Sequence, residues 1–387
     1  MRDILISGGS VLTPGGLRHT ELALVDGKIG GGTPEACFDA TGLLVLPGIV
    51  DVHGDAFERQ VQPRPGVEFP IDLALVETER QLLANGITTA FHGVTLSWEP
   101  GLRSAGAWRG LVDALAARSW TCDMRVHLRW EAFNLDALDM ALDDITSGRV
   151  HMLAFNDHTA SILHKLDTPG GASKYAGRAN MDVEAFRALG QHIAAGADRV
   201  PAALDRIAEA ARKAGLPMAS HDDDTIERRL EFAARGAMIC EFPINEAVAV
   251  FARGRGDAVV MGSPNVVRGG SHIGWASAAD MVERGLCTVL SSDYYYPCML
   301  QAPFILADRG VVDFATAWAL ISENAAVAAN LPDRGTLARG QRGDVVVVDP
   351  ATRQPVATFV RGQLAWVNAE GAACLSERAL AGAASLV

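Results

Sequence analysis

The residues able to do chemistry in this sequence sit at the ends of short apolar runs. Asp51-Val52-His53-Gly54-Asp55 closes one run and His127-Leu128-Arg129-Trp130-Glu131 a second. Asn156-Asp157-His158, Ser220-His221-Asp222-Asp223 and Ser291-Ser292-Asp293 close three more. Imidazoles and carboxylates repeated at such ends are the nitrogen and oxygen donors that a divalent cation takes. His53 and Asp55 are two apart, so on a regular strand they share a face. Burying both without partners would be costly, and a metal ion removes that penalty. Glu131 lies on the same parity as His127 and Arg129, and Asp293 follows an apolar run and precedes three tyrosines. Taken together, His53, Asp55, Glu131, His158, His221 and Asp293 form the candidate metal set. The ordinary reading of each is a satisfied core polar group or a loop cap. His221 fits that reading least, because no turn signal flanks it. Asp222 and Asp223 read as loop acids, and Asp224 as a helix N-cap with Glu227 completing a capping box. His92 stands between packing and the rim of the site.

Those ends must be held by a scaffold, and the middle of the chain supplies one. Short apolar strands alternate with helical patterns, and Gly86, Gly215, Gly236 and Gly285 each follow a helical run where a left-handed cap is expected. Eight strand candidates can be placed at 44–55, 87–95, 125–131, 151–158, 217–223, 238–245, 257–265 and 288–296. Eight βα units in roughly 280 residues fit an α/β architecture, the TIM-like (β/α)8 barrel, whose chemistry collects at the strand C-termini. An open doubly wound sheet is the alternative, but no G-x-G-x-x-G follows the first strand. The two chain ends differ from the middle, with alternating apolar residues and glycine-rich turns in DILISGGSVLTPGG and GDVVVVDPATRQPVATFVRG. The expected division is a small discontinuous β-sandwich from 1–48 plus 338–387 and a barrel from 49–337.

Composition narrows the partners. At 387 residues and 49% hydrophobic the chain can bury a full core. A formal charge of -12 argues against nucleic acid or an anionic membrane as the main partner. The apolar stretch from Gly42 to Val50 is interrupted by Pro47 and is too short to span a bilayer. The first residues carry an acid and no long apolar region, so no signal peptide is expected. Six scattered cysteines without a C-x-x-C pair read as reduced thiols in a cytoplasmic protein.

LPGIVDVHGD, with the strand-rich segments before it and GDVVVVD near the end, resembles the amidohydrolase superfamily. More closely, HGDAFERQVQPRPGVEFP, NGITTAFHGV, HLRWE, ASHDD, MGSPNVVRGGSHIG and LSSDYYYP are similar to its phosphonate-metabolism branch, over about residues 1–365. The resemblance implies a metal-dependent barrel with a flanking β-sandwich. Its activity would be hydrolysis of a ribose 1-phosphonate 5-triphosphate with release of pyrophosphate. It also implies metal-site roles for His53, Asp55 and Asp293, later-strand histidines at His158 and His221, and Glu131 in place of the usual bridging ligand. The chain departs from the superfamily by having His53-x-Asp55 rather than His-x-His, no bridging Lys on strand 4, and Glu241 on strand 6. The metal count, one or two ions, therefore stays open. Zn²⁺ suits the donor set, with Mn²⁺ or Ni²⁺ as alternatives.

A metal lowers the pKa of water toward about 7, and Asp293 is placed to take the proton. An anionic substrate on an acidic protein needs local cations. Candidates are Arg64, Lys165, Lys174, Arg178 and Arg268, with Gly269 and Gly270 offering backbone N–H groups as an anion nest. His272, just beyond, is expected to contact the same ligand or donate to the leaving group. The competing function is cleavage of a C–N bond in a cyclic amide or acyl-amine, which needs no such cations. The partner is in either case a small molecule, and assembly into a homo-oligomer is left open.

Overall fold

Eight strands pair side by side in chain order to form the frame of the molecule. They are β1 (Ile49–Gly54), β2 (Ile87–Leu96), β3 (Asp123–Glu131), β4 (Met152–Asn156), β5 (Met218–His221), β6 (Ile239–Glu241), β7 (Ala258–Gly262) and β8 (Val289–Ser291). The structure is a computed structural model, describing residues 3–377 apart from 65, 169, 180 and 271–275. All seven neighbouring pairs are parallel. The first and last strands meet just beyond β8, where Asp293 N–H donates to His53 O (2.9 Å) and Asp55 N–H donates to Asp293 O (2.8 Å). Beneath this junction Asp51 accepts from Ser292 N–H (3.0 Å) and Ser292 Oγ–H (2.6 Å), lashing β1 to the end of β8. The expected (β/α)8 architecture is present.

Strands buried on both faces explain the unbroken apolar runs. Val50, Val52, Phe91, Met152, Ala154, Ala219, Ile239, Val260 and Val289 fill the barrel interior. Residues of opposite parity, such as Leu128, Trp130, Phe155 and Leu290, pack outward in the large cluster that also takes in the helices. Helices Ile71–Ala84, Val200–Lys213, Ile226–Ala234 and Ala278–Glu283 occupy the expected segments, and each is followed by its glycine at positive φ. One cap differs from expectation. Thr225, not Asp224, is the N-cap of Ile226–Ala234, its hydroxyl accepting from Arg228 N–H at 3.1 Å. The helix starts one residue later than the sequence pattern suggested.

The candidate strand 44–55 is two strands. Leu44–Pro47 pairs antiparallel with Val345–Asp349 and parallel with Ser10–Thr13, in a six-stranded mixed sheet. β1 begins only after Gly48, where a Cβ would lie 2.5 Å from Thr88 Oγ1. That close approach lets the chain pass from one sheet into the other. A second, five-stranded sheet joins Ile4–Ser7, Leu22–Val25, Lys28–Ile29, Ala36–Asp39 and Leu375–Glu377. Both sheets thus draw on both chain ends, and a separate core that includes Ile6, Leu24, Phe38, Val45, Val347 and Phe359 holds them.

Between β4 and β5 the chain inserts helices Thr159–Leu166, Gly171–Arg178 and Val183–Ala194, with their own small core around Trp98, Ile162 and Phe186. Among the described residues no helix is long and apolar enough to cross a membrane.

Candidate active site

His53 reaches the barrel mouth by an irregularity. Val50 and Val52 already face inward, so strict alternation would turn His53 outward. Between Asp51 and Gly54 the β1–β2 register slips, three steps along β1 matching two along β2. Such a bulge re-aims a side chain. The His53 ring comes to stack on His221 with centroids 5.2 Å apart, and stands edge-on to His127 at the same separation. The sequence expectation of an inward His53 holds, but its reason was too simple.

Glu241, at the end of β6, is the hub of these rings. Its Oε2 lies 3.1 Å from His53 Nδ1 and 3.2 Å from His221 Nδ1, and its Oε1 lies 3.8 Å from His127 Nε2. His127 Nδ1 is 3.1 Å from Val52 O, so that nitrogen carries the proton and Nε2 presents a lone pair. Glu241 Oε1 and His127 Nε2 are both buried without a hydrogen-bond partner. Burial pushes Glu241 up to about 7, against the pull of His127 and Arg129. Burial first, and the Arg129 charge second, holds His53 and His221 well below the usual imidazole range. Neutral imidazoles and an orphaned carboxylate oxygen are the donors a metal requires. His53, His221 and Glu241 place ligand atoms within 4.8 Å of one another, and so do His158, His221 and Asp222. The residues present fit a divalent ion.

Glu131 is committed elsewhere. Its Oε1 lies 2.5 Å from His158 Nδ1, and its Oε2 accepts from His158 N–H at 3.1 Å. With both oxygens on His158, it fits a carboxylate that orients an imidazole better than a bridging ligand. Burial pushes His158 down, but Asp222 and Glu131 outweigh it and lift the imidazole to about 9. Asp222 is more than a loop acid, because its Oδ2 lies 3.5 Å from His158 Nε2 and it faces the site. Asp55 is pushed up to about 6 by burial and then by Glu58, and Asp293 to about 7 by burial and then by Asp55. Asp293 holds a left-handed backbone, φ +54, imposed by its two hydrogen bonds to β1.

His53, Asp55, His221, Asp222 and Asp293 open into a cavity of about 230 Å³ whose wall also includes Arg129, Arg268, Gly270 and Tyr294. Of the expected cations whose side chains are described, Arg268 lines it, with Nη1 3.4 Å from Tyr294 Oη. The anion nest is not present. Gly269 N–H donates to Val266 O (3.2 Å) and Gly270 N–H to Asn265 O (2.9 Å), so both glycines cap helix Ser263–Arg268. Arg64, in a tight turn with Val67, and Lys165, on its helix, are exposed, and neither lines the cavity. Lys174 and Arg178 lie on helix Gly171–Arg178, but their side chains, like His272 entirely, fall outside the described residues. His92 packs against Phe57 on the outer side of β2, which settles it as packing.

Sequence reasoning passed over Glu241, His127, Asp222 and Arg129 as site residues. The signal for Glu241 was available, since it ends the apolar run Ala237–Cys240 as His221 ends its own.

Over 325 residues the chain is 31% identical to alpha-D-ribose 1-methylphosphonate 5-triphosphate diphosphatase of Escherichia coli (strain K12), covering 81% of this chain and 85% of the relative. The chain belongs to the family of that diphosphatase and has the amidohydrolase-superfamily fold. The superfamily fold recurs in molinate hydrolase, with a TM-score of 0.63, 15% identity and 94% of each chain covered. An adenosine deaminase from Xanthomonas campestris with bound zinc matches with a TM-score of 0.61 and 13% identity, over 95% of this chain and 93% of that one. At such identities the likeness is one of fold. No family model matches. The departures from the superfamily pattern noted in the sequence acquire a geometry. Glu241 occupies the centre of the imidazole cluster, and Glu131 stands behind His158.

Proposed function

We propose that this protein is a metal-dependent hydrolase of α-D-ribose 1-methylphosphonate 5-triphosphate, releasing pyrophosphate. The observation that carries the reading is a single cavity joining a metal-ready imidazole–carboxylate cluster to two guanidinium groups, in a chain of the diphosphatase family. His53, His221 and Glu241 would hold the ion, with Asp222 and, once it gives up its proton, His158 available for a second, and Asp55 and Asp293 beside them. Zn²⁺ suits these donors, with Mn²⁺ or Ni²⁺ as alternatives. Bound there, the ion lowers the pKa of water toward about 7 and draws charge from phosphoryl oxygens.

The chain's own residues supply the rest. Asp293, held near 7, takes the proton from water as its oxygen attacks the phosphorus next to the ribose. The bond from that phosphorus to the bridging oxygen breaks, pyrophosphate leaves, and a ribose 5-phosphate remains. Arg268 binds phosphoryl oxygens from the cavity wall. Glu131 fixes the tautomer and orientation of His158. Metal-loaded protein is expected to release pyrophosphate from the triphosphate and to stop when the metal is chelated. Ring opening of cyclic amides, or amine release from acyl-amines, with no pyrophosphate from the triphosphate, would replace this reading with the C–N hydrolase.

A further inference from the structure

Among the buried arginines, Arg229 and Arg129 have surroundings that differ in kind. Arg229, with no side-chain exposure, has a partner for every nitrogen: Nε and Nη2 donate to Asp257 Oδ2 (3.1 and 2.8 Å), Nη1 donates to Ser220 Oγ (2.7 Å) and Nη2 also donates to Ala237 O (2.5 Å). It is a structural cation. Arg129 is only 7% exposed, yet it is poorly served. Its Nη2 donates to the neutral imidazole of His221 at 2.9 Å, and its Nε has no partner. The nearest carboxylate oxygen given to it, Asp55 Oδ2, stands 3.6 Å from Nη1, beyond a good hydrogen bond. A guanidinium offers five N–H donors, and one buried without matching acceptors is costly.

The protein also keeps room for this side chain. A Cβ at residue 93 would stand 3.2 Å from Arg129 Cδ and 3.3 Å from His53 Nε2, so Gly93 is what lets the arginine and the imidazole lie side by side. The one strong acceptor Arg129 has, His221 Nε2, is a lone pair that a metal ligand must give up. When it is given up, Nη2 is left empty as well.

We propose that Arg129 is a substrate-binding residue, its planar fork gripping non-bridging oxygens of the pyrophosphate unit that leaves. The inference rests on the diphosphatase reading for the identity of the anion. The buried guanidinium with its unpartnered Nε, and its place in one cavity with Arg268 and Asp293, come from the structure itself. Two guanidiniums in one cavity offer a multiply charged polyphosphate the paired N–H donors that a neutral amide does not need.

The test is calorimetric titration of inorganic pyrophosphate into metal-loaded protein, comparing the parent with Arg129→Met and Arg129→Lys, with metal content and melting temperature measured on each. Arg129→Met should keep its metal and its fold and bind pyrophosphate roughly 10- to 100-fold more weakly, the scale of a lost charge-assisted pair. Arg129→Lys should fall between, because a point charge cannot reproduce the fork. Pyrophosphate binding within about twofold of the parent in Arg129→Met overturns the proposal. So does a parent that binds no pyrophosphate. Should Arg129→Met not fold, parent-like binding by Arg129→Lys overturns it equally. A parent that binds pyrophosphate through Arg129 but does not hydrolyse the triphosphate overturns the diphosphatase reading and leaves this inference standing. A parent that hydrolyses it with kcat and KM unchanged in Arg129→Met does the reverse.

Discussion

Glu241 and Asp293 are both carboxyl groups raised to about 7 by burial, but they face different tasks. Glu241 is enclosed by three imidazoles, with one oxygen unpartnered, and nothing but a cation would satisfy it fully. Glu241→Gln removes the charge and turns an N–H donor toward imidazole N–H groups. We expect at least a roughly tenfold loss of metal affinity, checked by elemental analysis after dialysis against graded chelator. A variant that retains metal like the parent would remove Glu241 from the ligand set. Asp293 lies at the cavity wall, where a proton acceptor is needed rather than another ligand. Asp293→Asn should keep the metal while kcat falls by at least ~100-fold, the scale of general acid–base catalysis. Normal turnover would exclude it from the proton transfer.

At the scale of elements, the site depends on where helices stop and how strands meet. Gly86 joins helix Ile71–Ala84 to β2 at φ +78, and a Cβ there would stand 2.7 Å from Val346 Cγ2 in the six-stranded sheet. Gly215 plays the same part before β5 at φ +68, with nothing within 4 Å of its Cβ position. Gly215→Ala should therefore cost only the left-handed strain, about 1 kcal/mol, and Gly86→Ala more, toward about 3 kcal/mol. Urea midpoints with unchanged slopes would check the order. Equal shifts would mean that the barrel and the sheet are free to part at Val346. Removing the Thr225 cap hydroxyl by Thr225→Ala should cost about 1 kcal/mol, whereas Asp224→Ala should cost far less, if the cap is where the structure places it.

For the whole molecule, the bottom of the barrel is tied to the C-terminal segment through one carboxylate. Asp123 Oδ2 receives Arg125 Nη2 (3.0 Å), Arg334 Nη1 (2.6 Å) and Arg342 Nη1 (3.0 Å), and the last two arginines are buried. Burial opposes the Asp123 charge, but Arg125 and Arg334 outweigh it and hold the carboxyl well below its ordinary value of 3.8. A folded pKa below the unfolded one contributes stability that is present above 3.8 and is lost as pH falls through the lower, folded value. Asp123→Asn takes one of two carboxylate partners from each of Arg334 and Arg342, which keep Asp333 and Asp344, and should cost about 1.5–3 kcal/mol at neutral pH. The gap between variant and parent should narrow below pH 3.8, when melting temperatures are followed down the pH scale. A gap that stays constant with pH would place the effect in packing rather than charge.

The strand ends were legible because chemistry and hydrophobic pattern coincide there. An imidazole or acid closing an apolar run, as in Ser220-His221 and Ser292-Asp293, marks a barrel strand and its functional end at once. Helix ends were legible for a local reason, the left-handed residue that glycine alone adopts without strain. What the sequence could not carry was decided by contacts distant in the chain. The inward turn of His53 depends on a register slip against β2, and the passage from sheet to barrel at Gly48 depends on Thr88. Glu131 looks like a ligand until both of its oxygens are found on His158, 27 residues away. Gly269 and Gly270 look like an anion nest until their N–H groups are found closing a helix. A side chain's type is written locally, but which lone pairs and protons remain free is settled only when all its neighbours are in place, and that balance is what separates Arg129 from Arg229.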